Sequence, residues 1–408
     1  MRKRLTVSPS AADRLGAAVH RAAVAGTIVV VLLLAACGGG PDSSGPSTGG
    51  SPSAVPSVVT TTRSSGPVTP SGGTAPGSSA LPRPTTSGTP SPRRDSSPTT
   101  AGQPTAVPQV GRSAWVSVSV ATLWRSPAAP RAVDRAALEN PARIRAWLGA
   151  LTVPLRRDLG GRADTQVLLG DRVVVVARTG TWAKVVVPDQ PSPADPRGYP
   201  GWVPLVQLTA AAPAPATRTA TVVARTAWLR SDDDRAAGVM EVSFGTRLPL
   251  RAQTDGVIRV VLPTGRVLRL AASDASVAAS GAAALEGDGQ DVVRTAVMFT
   301  GLPYLWAGSS GFGFDCSGLT WLDLRVHGVT IPRDASPQSR AGRAVPVTAA
   351  SPGDLLFFAT AGDVHHVAIR AGADRMVHAP GTGFGIETIP VSTPSYVAEL
   401  VGVRRYLG

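Results

Sequence analysis

The segment Gly170-Asp171-Arg172-Val173-Val174-Val175-Val176-Ala177-Arg178-Thr179 returns 75 positions later as Gly245-Thr246-Arg247-Leu248-Pro249-Leu250-Arg251-Ala252-Gln253-Thr254. The register holds through Lys184-Val185-Val186 and Arg259-Val260-Val261 to Pro188 and Pro263. A "Leu-Arg-Ser"-like segment precedes each copy, Leu123-Trp124-Arg125-Ser126 and Trp228-Leu229-Arg230-Ser231. An internal repeat of this length means one small unit built twice. The units are Val-rich, alternate with period two and are punctuated by Gly and Pro, which is the pattern of short strands. The spacing therefore predicts two all-β units, at 112–210 and 217–276. The first carries an insertion from Arg131 to Arg162, in which Ile144, Trp147, Leu148 and Leu151 recur at helical spacing.

Residues 285–408 change character. Asp288 to Thr300 and Ser317 to His327 read as helices. After Pro352-Gly353-Asp354 come strand-like runs at Leu355 to Phe358, His366 to Arg370 and Arg375 to Ala379. Helices first and an antiparallel sheet afterwards predict an α+β domain. The two β units resemble bacterial SH3-type barrels in tandem.

From Gly38 to Gly111 the chain is rich in Ser, Pro, Thr and Gly and has no aromatic residue. Such a segment buries too little apolar surface to offset ordering entropy, so 37–111 is expected to be a disordered linker. Residues 1–36 read as a secretory signal. Arg2, Lys3, Arg4, Arg14 and Arg21 form a positive leader, and the apolar run Ala22 to Leu34 is too short to span a bilayer. Leu34-Ala35-Ala36-Cys37 resembles the bacterial lipobox, whose cysteine is acylated and becomes the new N-terminus. The resemblance implies lipidation at Cys37 and anchoring on the outer face of the cytoplasmic membrane. The tether would then reach on the order of 50 Å or more into the cell wall. An uncleaved anchor or an ordinary signal peptide is the alternative, and either exports the chain. The leader, with five basic residues and one acid, accounts for +4 of the formal +13, and the remaining +9 suits an anionic envelope polymer or membrane surface. No basic–aromatic cluster of the nucleic-acid kind occurs, which argues against nucleic acid as a partner.

Cys316 is the second of only two cysteines, in Phe314-Asp315-Cys316-Ser317-Gly318. It stands where a helix should start, after the glycine-rich loop Gly308 to Gly313. A helix N-terminus lowers a thiol pKa, so a reactive thiolate is expected there, against the plainer reading of a buried inert cysteine. A thiolate nucleophile needs an imidazole as base and a third group to fix that imidazole's tautomer. If Ala371 to Asp374 form a hairpin turn, His366 lies opposite His378 on one face. Alternation sends His365 the other way, with core-facing Val367 and Ile369, and small Ala368 beside His366 leaves room for the cysteine. His366 is thus the expected base and His378 its orienting partner, while His327 reads as a helix C-cap. One cysteine and two adjacent histidines on opposite faces make a poor zinc site. The chemistry needs no metal or organic cofactor.

Six segments carry a further resemblance: Tyr304-Leu305-Trp306-Ala307-Gly308, Phe314-Asp315-Cys316-Ser317-Gly318-Leu319, Ile331-Pro332-Arg333-Asp334, Pro352-Gly353-Asp354-Leu355, His366-Val367-Ala368-Ile369 and Met376-Val377-His378-Ala379. In this order they resemble the NlpC/P60 cysteine peptidases. That resemblance implies a papain-like fold and cleavage of cell-wall peptides, typically between γ-D-glutamate and a diamino acid. It implies Cys316 as nucleophile, His366 as base and His378 as third member. Asp164 to Asp171, Pro188-Asp189-Gln190 and Gly198-Tyr199-Pro200-Gly201-Trp202-Val203-Pro204 are similar to the first barrel of the dipeptidyl-peptidase VI type. In that type a barrel tyrosine and acid bind a free N-terminal L-alanine, which implies Tyr199 and Asp164 here. The same resemblance implies that Asp315 pairs with the substrate ammonium. It also implies that Trp306, Ser317 and Asp334 line subsites and that Tyr304 supports the oxyanion. Asp315 fits equally as a helix cap, and Trp202 and Trp306 fit equally as packing residues. Ala335 stands where the type often has Ser, and Asp164 replaces a more usual Glu. The chain reads as a peptidoglycan stem-peptide hydrolase, exo-acting if Tyr199 closes one end of the cleft and endo-acting if it does not. A non-catalytic wall-binding lipoprotein is the alternative from another class.

Overall fold

The computed structural model describes residues 107–233 and 237–408. The leader 1–36, Cys37 and linker residues 37–106 lie outside the described residues.

The first barrel contains β1 (Ser113–Val116), β2 (Val120–Trp124), β3 (Ala163–Leu168), β4 (Arg172–Thr179), β5 (Trp182–Val187), β6 (Tyr199–Pro204) and β7 (Leu208–Thr209). The second contains β8 (Arg218–Val222), β9 (Thr226–Arg230), β10 (Gly238–Ser243), β11 (Arg247–Thr254), β12 (Val257–Val261), β13 (Val267–Ala271) and β14 (Ala275–Ala279). The strand orders are β3-β2-β6-β5-β4-β1-β7 and β10-β9-β13-β12-β11-β8-β14. Position for position these are the same topology, so the sequence repeat is a structural one. Gly170 and Gly245, which open the two copies, have φ of 86° and 79°, a left-handed turn that glycine adopts without strain.

The insertion lies between β2 and β3 and forms α1 (Arg135–Leu138), α2 (Ile144–Ala150) and α3 (Val153–Asp158). Ile144, Trp147 and Leu151 face inward, and the Trp147 indole donates to Asp134 Oδ1 at 2.8 Å.

The C-terminal domain begins with α4 (Gly289–Val297), followed by the ribbon β15 (Ser309–Ser310) and β16 (Gly313–Phe314), then α5 (Cys316–Val326) and α6 (Ala335–Arg340). The rest is β17 (Arg343–Val345), β18 (Leu355–Thr360), β19 (Asp363–Gly372), β20 (Arg375–His378), β21 (Glu387–Pro390), α7 (Pro394–Val397) and β22 (Leu400–Arg405). The sheet runs β17-β22-β18-β19-β20-β21 and is antiparallel. This is the expected α+β arrangement.

Every residue of α5 is buried, as befits a helix enclosed on all sides. One hydrophobic cluster joins Trp124, Trp147 and Leu159 of the first barrel, Phe244 of the second, and Leu319, Leu322, Phe357 and Val367 of the C-terminal domain. Polar contacts reinforce the junctions. Gln166 Oε1 accepts from Ser310 Oγ at 2.8 Å, and Arg325 Nη2 donates to Asp171 at 2.7 Å. Gly311 donates its N–H to Ser243 Oγ at 2.8 Å, and a Cβ there would come within 1.9 Å of the Arg225 carbonyl oxygen.

Candidate active site

Asp315 caps α5, its Oδ1 accepting the Gly318 N–H at 2.7 Å, so the helix starts at Cys316. Arg333, fully buried, grips the same carboxylate with Nη1 to Oδ1 at 3.0 Å and Nη2 to Oδ2 at 2.8 Å. It also donates to Ser317 Oγ at 3.0 Å and to Thr165 Oγ1 of the first barrel at 2.9 Å. Of the two roles open to Asp315, the capping one is therefore filled. The sequence alone gives Arg333 no role. Its burial against an N-cap acid gives it one: it fixes the start of the helix that carries Cys316.

The hairpin register differs from expectation by two residues. Ile369 pairs with Val377 and Arg370 with Met376, and the register shifts before Gly372 pairs with Arg375. His378 is thereby level with Ala368 and is a diagonal neighbour of His366. A shift of two residues keeps both on the same face, and His366 Nε2 still meets His378 Nδ1 at 2.8 Å. Ala368 does not make the room for Cys316. It packs with Leu356, Phe358 and Met376 on one face of the sheet, while Cys316 belongs to the cluster on the Val367 and Ile369 face. The sulfur accepts the backbone N–H of Val367, the residue after His366.

A β-bulge also separates the pair Phe358 and His366 from the pair Ala359 and Val364, leaving His365 without a cross-strand partner. Instead of following Val367 and Ile369 inward, His365 stands at the rim, 3.4 Å from Glu399. His327 caps α5 and is buried, its Nε2 3.1 Å from Thr295 Oγ1.

Cys316, His365, His366, Tyr304, Trp306, Tyr396 and Glu399 line one open cleft of about 470 Å³. Trp306 is 42% exposed, and its ring lies against the Gly160 backbone of the insertion. Ala307 behind it has φ of 65°, an uncommon conformation for a residue with a Cβ. Tyr396 was not singled out from the sequence. Its ring covers both imidazoles, with centroids 5.7 Å from His366 and 5.0 Å from His378.

Burial decides the resting charges. It pushes Cys316 up to about 12, helped by Asp315 and opposed by the Val367 N–H. It pushes His366 down to about 3 and His378 down to about 4. The expected lowering of the thiol by the helix terminus is thus reversed, because desolvation of the sulfur outweighs it. Burial therefore favours the neutral thiol and neutral imidazoles.

Tyr199, Asp164, Asp334, Asp315 and Ser317 gather around Arg333. The Tyr199 hydroxyl donates to Asp334 Oδ2 at 3.1 Å, and Asp334 Oδ1 is 4.0 Å from Arg333. Asp164 is held by Arg125 at 2.8 Å. Burial raises the Asp334 pKa first of all; Arg333 opposes this, and Asp315 and Asp164 add to it. The hydroxyl of Tyr304 is likewise raised by burial, with Cys316 and Asp315 next. Among the described residues no three His, Cys, Asp or Glu side chains converge as metal ligands.

A model of the NlpC/P60 family matches residues 301–405, and one described as the YKFC SH3b2 domain matches residues 222–277. The gamma-D-glutamyl-L-lysine dipeptidyl-peptidase of Bacillus cereus is 41% identical over 302 residues, covering 72% of this chain and 91% of that protein. The chain belongs to the NlpC/P60 family. A second NlpC/P60 relative, the gamma-D-glutamyl-L-lysine dipeptidyl-peptidase of Bacillus subtilis, is 40% identical and is covered over 96% of its length. The crystal structure of an NlpC/P60 family protein from Bacillus cereus superposes with a TM-score of 0.69 at 40% identity, covering 72% of this chain and 100% of that one.

Proposed function

We propose that this cysteine peptidase hydrolyses the bond between γ-D-glutamate and the diamino acid of peptidoglycan stem peptides, and that it prefers peptides with a free N-terminal L-alanine. One observation carries the preference. Asp315, Asp334 and Asp164 crowd one end of the site with Arg333 and Arg125 as their cationic partners, so the balance left over is negative and suits a substrate ammonium. The names of the Bacillus relatives support the bond chosen.

In this reading Cys316 Sγ attacks the γ-carbonyl carbon while His366 Nδ1 takes the thiol proton. Because the thiol and imidazole rest neutral, transfer accompanies attack rather than preceding it. Tyr304 supports the developing oxyanion. His366 returns the proton to the departing α-amine, and water, deprotonated by the same nitrogen, cleaves the thioester. Trp306 and Ser317 line the acyl side. The chain works from the outer face of the membrane, anchored through Cys37; incorporation of a labelled fatty acid, lost in Cys37→Ala, checks that part.

Incubation with L-Ala-γ-D-Glu-L-Lys, its diaminopimelate counterpart and their N-acetylated forms tests the specificity. We expect free-amine peptides to be cleaved and acetylated ones spared. Cleavage of both indicates an endopeptidase, and cleavage of neither overturns the reading.

A further inference from the structure

Proton bookkeeping along the histidine pair leads to a residue outside the triad. For His366 to act as base toward Cys316, its Nδ1 must carry a lone pair, so its proton sits on Nε2. That Nε2 is 2.8 Å from His378 Nδ1, which must therefore accept. The proton of His378 is then on its own Nε2, a buried nitrogen without a hydrogen-bond partner in bonding geometry. The opposite tautomer puts a proton on His366 Nδ1, the nitrogen left over for the thiol, and abolishes the base.

Glu387 is the group that can choose between them. It is paired directly across from His378 on β21, and its Oε1 is 3.5 Å from His378 Nε2. A carboxylate only accepts, so it stabilises an N–H there and opposes a lone pair. The side chain is 46% exposed and can close the remaining distance as the site fills. The other titratable groups around the pair are Cys316 at the start of α5, Tyr304, His365 on the same strand, Tyr396 on α7, and Glu399 beyond Tyr396. None of these is bonded to His378 Nε2.

We propose that Glu387 is a fourth, positioning member of the catalytic array, holding His378 and through it His366 in the tautomer that accepts the thiol proton. The proposal rests on the cysteine peptidase reading above. It adds that a charge two residues removed from the sulfur sets the base's readiness.

Glu387→Gln keeps size and half-exposure but presents an amide that can donate to Nε2. We expect kcat on L-Ala-γ-D-Glu-L-Lys to fall about tenfold or more with KM within about twofold, as for other partners that orient a catalytic ligand. Alkylation of Cys316 by iodoacetamide at pH 7, which needs no substrate, should slow about threefold or more, because the imidazolium formed with the thiolate loses its counter-charge. Wild-type rates within twofold in both assays overturn the proposal. So does a loss of kcat with an unchanged alkylation rate, which would assign Glu387 to substrate contact. Hydrolysis by the wild-type protein tests the peptide reading separately, so the two ideas can fail independently.

Discussion

Cys316, His366 and His378 are buried together, and their neutral resting state separates this site from a preformed thiolate–imidazolium pair. A preformed pair alkylates at a rate that levels off once the thiolate is fully formed. Here, with the thiol near 12, we expect the iodoacetamide rate of the empty protein to keep climbing through pH 9; a plateau near pH 7 would contradict the assignment. The histidines also predict acid sensitivity. Both titrate lower in the folded chain than the ordinary 6.5, so the unfolded chain takes up protons first. The stability they contribute is present above about pH 6.5 and is lost as pH falls through about 4 and 3. Thermal midpoints measured from pH 7 to pH 3 should fall less in His378→Asn than in the wild type. The positions of these residues were legible in the sequence, since spacing and alternation put the two histidines on one face. Their charge was not, because desolvation depends on what the rest of the chain lays over them. The same blindness hid Tyr396 and the importance of Arg333.

Helix α5 and hairpin β19–β20 are the elements that bring Cys316 and His366 to one cleft. The helix was legible from its cap and glycine loop. The bulge at His365 and the register shift before Gly372 were not, because each depends on a partner strand rather than on local pattern. Arg333 ties the start of α5 to the first barrel through Asp315, Ser317 and Thr165. Arg333→Met should lower stability by about 3–5 kcal/mol in urea unfolding, since it strands a buried carboxylate. A change below about 1 kcal/mol would mean that the cap stands without its guanidinium. At the acid-rich end, Tyr199→Phe should narrow the discrimination between free and N-acetylated peptides; unchanged discrimination would remove Tyr199 from the amine pocket.

Across the whole molecule the repeat was the most legible feature, and it reappears as two sheets of identical strand order. How the barrels meet the peptidase was not legible, because interfaces such as Gly311 on Arg225 and Trp306 on Gly160 have no local signature. Each barrel keeps its own core, but one cluster reaches from the peptidase into both, which implies that they unfold together. Calorimetry should therefore give one transition, and two well-separated transitions would contradict a shared core. All of this converges on one sulfur. Mass spectrometry of the products from L-Ala-γ-D-Glu-L-Lys, with wild-type and Cys316→Ala protein side by side, tests it most directly. We predict L-Ala-γ-D-Glu and free lysine from the wild type and intact tripeptide from Cys316→Ala. The same products from Cys316→Ala, or intact peptide from both, would contradict the account.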